Sequence, residues 1–447
     1  MLPITALVLA AILVFTYRFF DKDIFSPPTV VTLGFLFAVI CCWYNASEWQ
    51  LDFSGTTTWI IVIGIVSFVA GGIIAVVLVR YFHGKAFAFT HNVSEVRPID
   101  VELSKTVFVI LFQLAVVVLL FSELRELTGA SSWSEMVTTF REQTANVDPD
   151  EYTMKLSGIC LYAINFSFSL ALLYAYIIGN NIAAKAKQPI INWVPILLSC
   201  VLSFMQGYRS DMLRLWIAVL VVTYTLKKRR AGWGSSAETR QMIRRMALSV
   251  VVIAVLFVAL RGTVGRAETD WDPVYYLAFY AGSPIAALDL FLKDPLKASS
   301  IWGKETFYQM NHSIGAYFNK PELRYIFYKE YRTSPGGTLI GNVYTALRPP
   351  YYDFGLIGMI LVMLLMGLFI TYFYCRIRDQ RGTSLIDFRL LLYSYVMYTF
   401  FLYFYNSYYT FISFGFVRMI LELLLFRWFL VGFRIKGSRR YRVRLRA

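Results

Sequence analysis

The chain has 447 residues, 57% of them hydrophobic, 17% aromatic and only 16% charged, and its mean hydropathy is +0.56. Soluble domains carry about 25% charged residues, so this composition excludes a soluble enzyme, a disordered tail and a secreted disulfide scaffold. The remaining charge is lopsided, 43 Lys+Arg against 28 Asp+Glu, formally +15. On a membrane protein such an excess reads as topology signal and contact with anionic headgroups, with no nucleic-acid partner implied.

In chain order, about eleven apolar runs approach the length of a span, near residues 2–17, 29–44, 57–80, 105–122, 154–178, 190–206, 211–226, 246–261, 354–374, 388–405 and 410–433. A span needs about 20 apolar residues. The runs lack strict alternation, and hydrocarbon tolerates no open sheet edge, so they read as helices. The first run lacks a basic n-region and is followed by Arg18 and Lys22, which fits a first span better than a signal peptide. Residues 274–292 are apolar enough to cross but carry Ser283-Pro284. They are expected to form a re-entrant or interfacial helix kinked at the proline. The five cysteines lie in or beside the runs and read as small apolar residues.

The expected fold is all-α: a polytopic membrane helical bundle of about eleven transmembrane helices, forming one integral membrane domain over residues 1–447. Alternate connections carry Arg18/Lys22, Arg80/Lys85/Arg97/Lys105, Lys185/Lys187, Lys227 to Arg245, Arg376/Arg378/Arg381, and the tail from Arg434 to Arg446. Placing these basic sets in the cytoplasm puts the N-terminus outside and the C-terminus inside. Two larger loops then lie outside, at 122–152 and at 262–353. Long structured loops are frequent carriers of function.

Several chemistries have no sequence support. There is no GxxxxGK[ST], no GxGxxG, no HExxH and no GxSxG, and only three histidines occur, His83, His91 and His312. No metal set can be composed from them and no cofactor is expected.

Two motifs stand out. Gly207-Tyr208-Arg209-Ser210-Asp211-Met212-Leu213-Arg214 joins two apolar runs with charge at the start of a span. A simple turn would use Ser210 as a helix cap and pair Asp211 with Arg214. It would not explain arginines near a positive helix end. The second motif runs Gly336-Gly337-Thr338, Gly341-Asn342-Val343-Tyr344-Thr345 and Arg348-Pro349-Pro350-Tyr351-Tyr352-Asp353-Phe354-Gly355. Arg348 suits bidentate phosphate binding, and Tyr344, Tyr351 and Tyr352 suit a sugar ring. An interfacial aromatic belt is the plainer reading of those tyrosines.

Arg261 and Arg266 flank the exit of one span, and Arg141 lies in the first external loop. His312 is the one histidine expected outside and a candidate general base. Arg418 and Glu422 read as an intramembrane ion pair, and Tyr403 to Tyr409 as an aromatic belt. External arginines and aromatics together suit a ligand with an anionic head, a sugar body and a lipid tail. The arginines could stabilise a departing diphosphate without a metal.

Three elements carry a resemblance. They are Asp21-Lys22-Asp23-Ile24-Phe25-Ser26-Pro27-Pro28 before a span, the Gly207–Arg209–Ser210 turn, and Asn342-Val343-Tyr344-Thr345 with Tyr352-Asp353-Phe354-Gly355-Leu356-Ile357-Gly358 at a late span. With the hydropathy layout they resemble Wzy-type O-antigen and capsule polymerases, the oligosaccharide repeat unit polymerases. The resemblance implies a glycosyltransferase of the bacterial inner membrane, acting at its external face. It would transfer a growing glycan from undecaprenyl diphosphate to the next lipid-linked repeat unit. Donor and acceptor would both be undecaprenyl-diphosphate-linked oligosaccharides. Membrane lipids, and by family a chain-length regulator, would be the other partners. Arg209 and Arg348 match the family's external arginines, with Arg261 and Arg266 as further matches. His312, Asp211 and Asp353 compete as the base, and Arg214, Arg141, Tyr344, Tyr351 and Tyr352 complete the candidate substrate contacts. The rival functions are an O-antigen ligase and a lipid-linked oligosaccharide flippase.

Overall fold

The computed structural model describes residues 1–83, 95–145, 154–233, 236–259, 271–297, 299–325, 329–378, 386–407, 409 and 411–432. Helix makes up 74% of the structure. Among the described residues the sheet content is one antiparallel ribbon of β1 (Arg332–Thr333) and β2 (Leu339–Gly341). The helices are α1 (Leu2–Phe19), α2 (Pro27–Asn45), α3 (Gly55–His83), α4 (Leu103–Thr128), α5 (Trp133–Ala145), α6 (Gly158–Ala183), α7 (Val194–Met205), α8 (Ser210–Ala231), α9 (Ser236–Ala259), α10 (Pro273–Lys293), α11 (Tyr308–Tyr317), α12 (Arg348–Arg378), α13 (Phe388–Phe401) and α14 (Phe414–Val431). Each apolar run of the sequence is helical, as hydrocarbon requires of a backbone with no water to bond. The chain is an all-α polytopic membrane protein.

Among the described residues seven helices are long and apolar enough to cross a bilayer: α1, α2, α3, α4, α6, α10 and α12. The others are shorter or more charged. α7 extends a 3-10 turn at Ile190–Trp193, and the apolar part of α9 is Ala247–Ala259. α8 opens on Asp211 and Arg214 and closes on Lys228, Arg229 and Arg230, and α14 carries Arg418, Glu422 and Arg427. α10, the segment expected to be re-entrant, is one 21-residue helix with Pro284 inside it. Both its ends reach the short connection between α2 and α3. Trp49 donates to the Tyr275 hydroxyl at 3.4 Å, and Asp289 accepts from the Ser54 N–H at 2.9 Å and the Thr57 hydroxyl at 2.6 Å. That carboxylate therefore sits at the positive N-terminus of α3.

Packing divides the chain into two compact units, Met1–Thr90, Trp271–Gln380, Thr399–Phe416 and His91–Asp270, Arg381–Tyr398, Val417–Ala447. In the first unit α3 lies against α12 at backbone contact. A Cβ at Gly71 would collide with the Leu364 carbonyl oxygen, and one at Gly367 would collide with that of Phe68. Small residues permit such an approach between helices in lipid, where packing supplies the driving force. The α1–α2 turn is locked to the C-terminal end of α12. Tyr374 donates to Asp23 at 2.5 Å, and Arg378 pairs with Asp21 at 3.4 Å. The Asp21–Pro28 motif is thus a structural latch, and it gathers the basic residues of 18–22 and 376–378 at one end of the unit.

In the second unit buried Gln113 of α4 donates to the carbonyls of Ser167 in α6 and Pro195 in α7, both at 3.1 Å. Arg418 and Glu422 form the ion pair expected from their spacing, at 3.1 Å, and Ser169 donates to Glu422 at 2.6 Å. Arg229 pairs with Asp387 at 2.8 Å, Arg230 donates to the Ala183 carbonyl, and Asn180 donates to that of Arg97. Here too the basic connections share one end. All five cysteines are buried and none is in a disulfide.

The α3–α12 contact gives a direct test. Gly367→Leu would drive a side chain into the Phe68 backbone and cost about 3 kcal/mol or more, at the upper end for overpacking. The detergent-solubilised variant should unfold at clearly lower temperature than wild type. An unchanged transition would contradict the contact.

Candidate functional site

Two clusters of charge, one in each unit, contain most of the candidate residues. In the second unit α7 ends at Met205, and Gly207, at φ 74°, reverses the chain. The turn closes with the Gly207 N–H on the Phe204 carbonyl at 2.9 Å and the Tyr208 N–H on the Ser203 carbonyl at 3.0 Å. Ser210, expected as the cap, is instead the first residue of α8. Arg209 occupies the cap position, and its side chain makes no cap bond.

Arg209 is buried, 7% exposed, with its guanidinium 3.8 Å from the centre of the Phe257 ring and Nη1 donating to the Phe257 carbonyl at 2.8 Å. Arg214 pairs with Asp211 at 3.3 Å, as the i,i+3 spacing predicts, and lies over Tyr398, Phe168 and Tyr395 at 4.8, 5.3 and 5.4 Å. Arg141 joins them. α5 packs Met136, Val137 and Phe140 against Leu120, Leu124, Leu202 and Met205. This lays the Arg141 side chain on Gly207, where an added Cβ would meet Arg141 Cβ at 2.9 Å. Arg141, Arg209, Arg214 and the Asp211 carboxylate therefore gather at one turn. Aromatic faces stabilise guanidinium groups without neutralising them.

In the first unit the cluster centres on Arg348, which is fully buried. Gly355, at φ 67° and ψ −165°, breaks α12, so residues 348–354 form a separate helical turn ahead of the long span. Arg348 Nη2 donates to Glu305 at 3.0 Å and to Glu330 at 2.5 Å. Its guanidinium lies 3.8 Å from the Tyr344 ring centre and 4.6 Å from that of Phe291. Arg348 Nε and Nη1, Glu305 Oε2 and Thr306 Oγ1 are buried with no hydrogen-bond partner among the described residues.

The network continues outward. Arg332 bonds Glu330 and Asp294, both at 3.1 Å, and the Tyr344 hydroxyl donates to the Glu330 carbonyl at 2.9 Å. Lys329, partly buried, donates to Asn406 at 3.4 Å. Asp353 accepts the N–H groups of Glu305 and Thr306, at 3.1 and 2.7 Å, and so holds the turn that carries Glu305.

Burial and charge tune these groups differently. Burial raises the Glu305 carboxyl above the usual carboxylate range despite the Arg348 charge. Burial acts in the same direction on Glu330, but the Arg348 charge and hydrogen bond outweigh it and hold that carboxyl below the usual range. Burial lowers the Lys329 ammonium to about 8, against the opposing pull of Glu305. Burial thus moves the Glu305 carboxyl up and the Lys329 ammonium down from their ordinary values, the direction that favours proton exchange.

The other candidates fall as follows. His312 is exposed on α11, where its ring centre lies 6.0 Å from that of Tyr308, and it is not among the side chains bonded to Arg348. Tyr344 is fully buried with its ring face under Arg348, so it offers no free face to a sugar in this structure. Tyr351 is partly buried, and Tyr352 is tied by its hydroxyl to the Lys297 carbonyl at 2.9 Å. Arg261 and Arg266 lie outside the described residues. Glu305, Glu330 and Lys329 carry no signal in the sequence. They stand 43, 18 and 19 residues before Arg348, and only the fold brings the two carboxylates to it. Among the described residues no group of three His, Cys, Asp or Glu side chains could hold a metal ion.

Buried arginines and carboxylates at the ends of apolar helices define a membrane protein with built polar sites rather than a passive bundle. The O-antigen polymerase family model matches residues 162–401, more than half of the chain, and includes Arg209, Glu305, Glu330 and Arg348. The chain belongs to the O-antigen polymerase family, and is a multi-pass membrane protein of polysaccharide biosynthesis. No curated protein and no solved structure matches it.

Arg348→Ala leaves Glu305 buried without its cation, while Glu330 keeps only Arg332. Breaking a buried pair this way costs about 3–5 kcal/mol. The variant should therefore accumulate poorly in the membrane or melt early in detergent, and Arg348→Lys should recover only part of the loss, since it restores the charge without the fork. Wild-type stability of Arg348→Ala would mean the pairs carry no net weight.

Proposed function

We propose that this protein polymerises undecaprenyl-diphosphate-linked oligosaccharide repeat units into O-antigen or capsular polysaccharide, by glycosyl transfer at the external face of the bacterial inner membrane. The observation that carries this reading is the gathering of Arg141, Arg209 and Arg214 around one turn with Asp211 as the accompanying carboxylate, within a chain of the O-antigen polymerase family. A diphosphate leaving group needs positive charge where its own charge develops. Arginine supplies it in a fixed planar fork that remains charged at all working pH values.

The Arg348 cluster has different chemistry. Two carboxylates at 2.5 and 3.0 Å from its guanidinium oppose the approach of a further anion. Its remaining N–H groups are better matched to neutral hydroxyls, so Arg348 serves the sugar and not the diphosphate. We read α10 as a re-entrant or interfacial element, a reading supported by the contacts of both its ends with the α2–α3 connection. By the positive-inside bias we read the basic connections as cytoplasmic and the N-terminus as outside.

The departing diphosphate is stabilised by arginine, with no divalent ion required. Arg209→Ala should abolish polymer while the protein stays in the membrane, because the carbonyl bond and the ring face that it removes are worth about 1–3 kcal/mol together. Wild-type protein reconstituted with lipid-linked repeat units should make polymer equally well with and without EDTA. A normal ladder from Arg209→Ala would remove the diphosphate assignment, and a chelator-sensitive reaction would remove the metal-free mechanism.

A further inference from the structure

Four polar atoms around Arg348 have no partner among the described residues although they are buried: Glu305 Oε2, Arg348 Nε and Nη1, and Thr306 Oγ1. Each such atom costs about 1–3 kcal/mol, and more where the group is charged. Four of them in one cluster, with the Arg348 and Glu305 side chains already fixed by other bonds, need a reason. Glu305 Oε1 is held by Arg348 Nη2 at 3.0 Å, and the backbone of Glu305 is held by Asp353. The bonds that fix the carboxylate use one oxygen and leave the other unbonded. The guanidinium likewise uses Nη2 for both carboxylates and leaves Nε and Nη1. A hydroxyl is both a donor and an acceptor. A sugar hydroxyl can therefore give its proton toward Glu305 Oε2 and accept from an Arg348 N–H, which a phosphate, having no proton to give, cannot do.

We propose that Glu305 is the general base of the polymerisation, with Arg348 and Asp353 as its positioning residues. This rests on the polymerase reading above. In the step, the acceptor hydroxyl proton passes to Glu305 Oε2 as the acceptor oxygen forms a bond to the anomeric carbon of the donor. The bond from that carbon to the phosphate oxygen breaks, and undecaprenyl diphosphate leaves with the electron pair. Glu305 then returns its proton to water. Asp353 holds the turn that bears Glu305, and Arg348 holds its other carboxylate oxygen.

The charged groups that act on Glu305 are Arg348, Lys329, Asp353 and Glu330. Burial dominates them and holds its carboxyl raised, so the base form is lost at higher pH than for an ordinary carboxylate. The rate should fall as pH drops through that raised value and level off above it.

The test uses the full-length protein in proteoliposomes with undecaprenyl-diphosphate-linked repeat units, read as polymer formed per minute against pH. Wild type should show the acidic limb. Glu305→Gln should lose about 10²–10⁴-fold and its residual rate should not show that limb. Glu305→Ala should be restored in part by added formate, a small carboxylate able to replace the base, while Glu305→Asp should retain intermediate activity. Protein amount and thermal transition are measured for each variant. Rates within a few-fold of wild type in Glu305→Gln would overturn the assignment. So would a loss that tracks a lowered thermal transition, keeps the acidic limb and ignores formate, because that is a structural role. Absence of polymer from wild type itself would overturn the polymerase reading, and this inference with it.

Discussion

A guanidinium taken out of water has to be matched, and in this protein the match organises a whole segment of chain. Arg348 is fully buried between two carboxylates that stand far from it in sequence. Desolvating such a charge is costly unless its partners are well placed. To place them the chain uses a backbone break at Gly355, the Asp353 clamp on the Glu305 turn, and the tyrosine and phenylalanine faces of Tyr344 and Phe291. The β1–β2 ribbon enters through Arg332, which holds Glu330 from the other side. The connection between α10 and α12 is thereby a folded polar structure, and its residual unbonded atoms are what give it chemical capacity.

The second unit solves the same problem differently. Its arginines lie on aromatic faces, with Arg209 over Phe257 and Arg214 among Tyr398, Phe168 and Tyr395, while Asp211 pairs with Arg214. A ring face stabilises a cation without cancelling its charge, whereas Arg348 is held between two carboxylates. Elsewhere charge is paired within or beside the helices. Arg229 with Asp387, Arg378 with Asp21, and Arg418 with Glu422 are ion pairs of the helix framework.

How much of this is legible in the sequence depends on the range of the interaction. Each apolar run is a helix, because length and hydropathy are local and the bilayer permits little else. The Arg418–Glu422 and Asp211–Arg214 pairs follow from helical spacing. Arg209 and Arg348 stand out because charge beside a span is costly. Glu305, Glu330 and Lys329 give no local signal, since a carboxylate in a polar loop looks solvated until the fold buries it. Tyr403 and Tyr409 read as an interfacial belt. They are buried and share a hydrogen bond of 2.7 Å between hydroxyls. Tyr344 reads as a sugar platform, and its face is taken by Arg348. Aromatic composition does not reveal which face is covered. Ser210 is not a cap because the turn at Gly207 sets the helix start one residue earlier than a serine cap would.

The central claim is that the protein joins repeat units to one another, and the surface polysaccharide of a deletion strain tests it most directly. Resolved on a gel, that polysaccharide should be a single rung, one repeat unit on the lipid core, with the full ladder restored by the wild-type chain. Loss of every glycan band, with finished polymer accumulating on its lipid carrier, would instead show a ligase and contradict the claim.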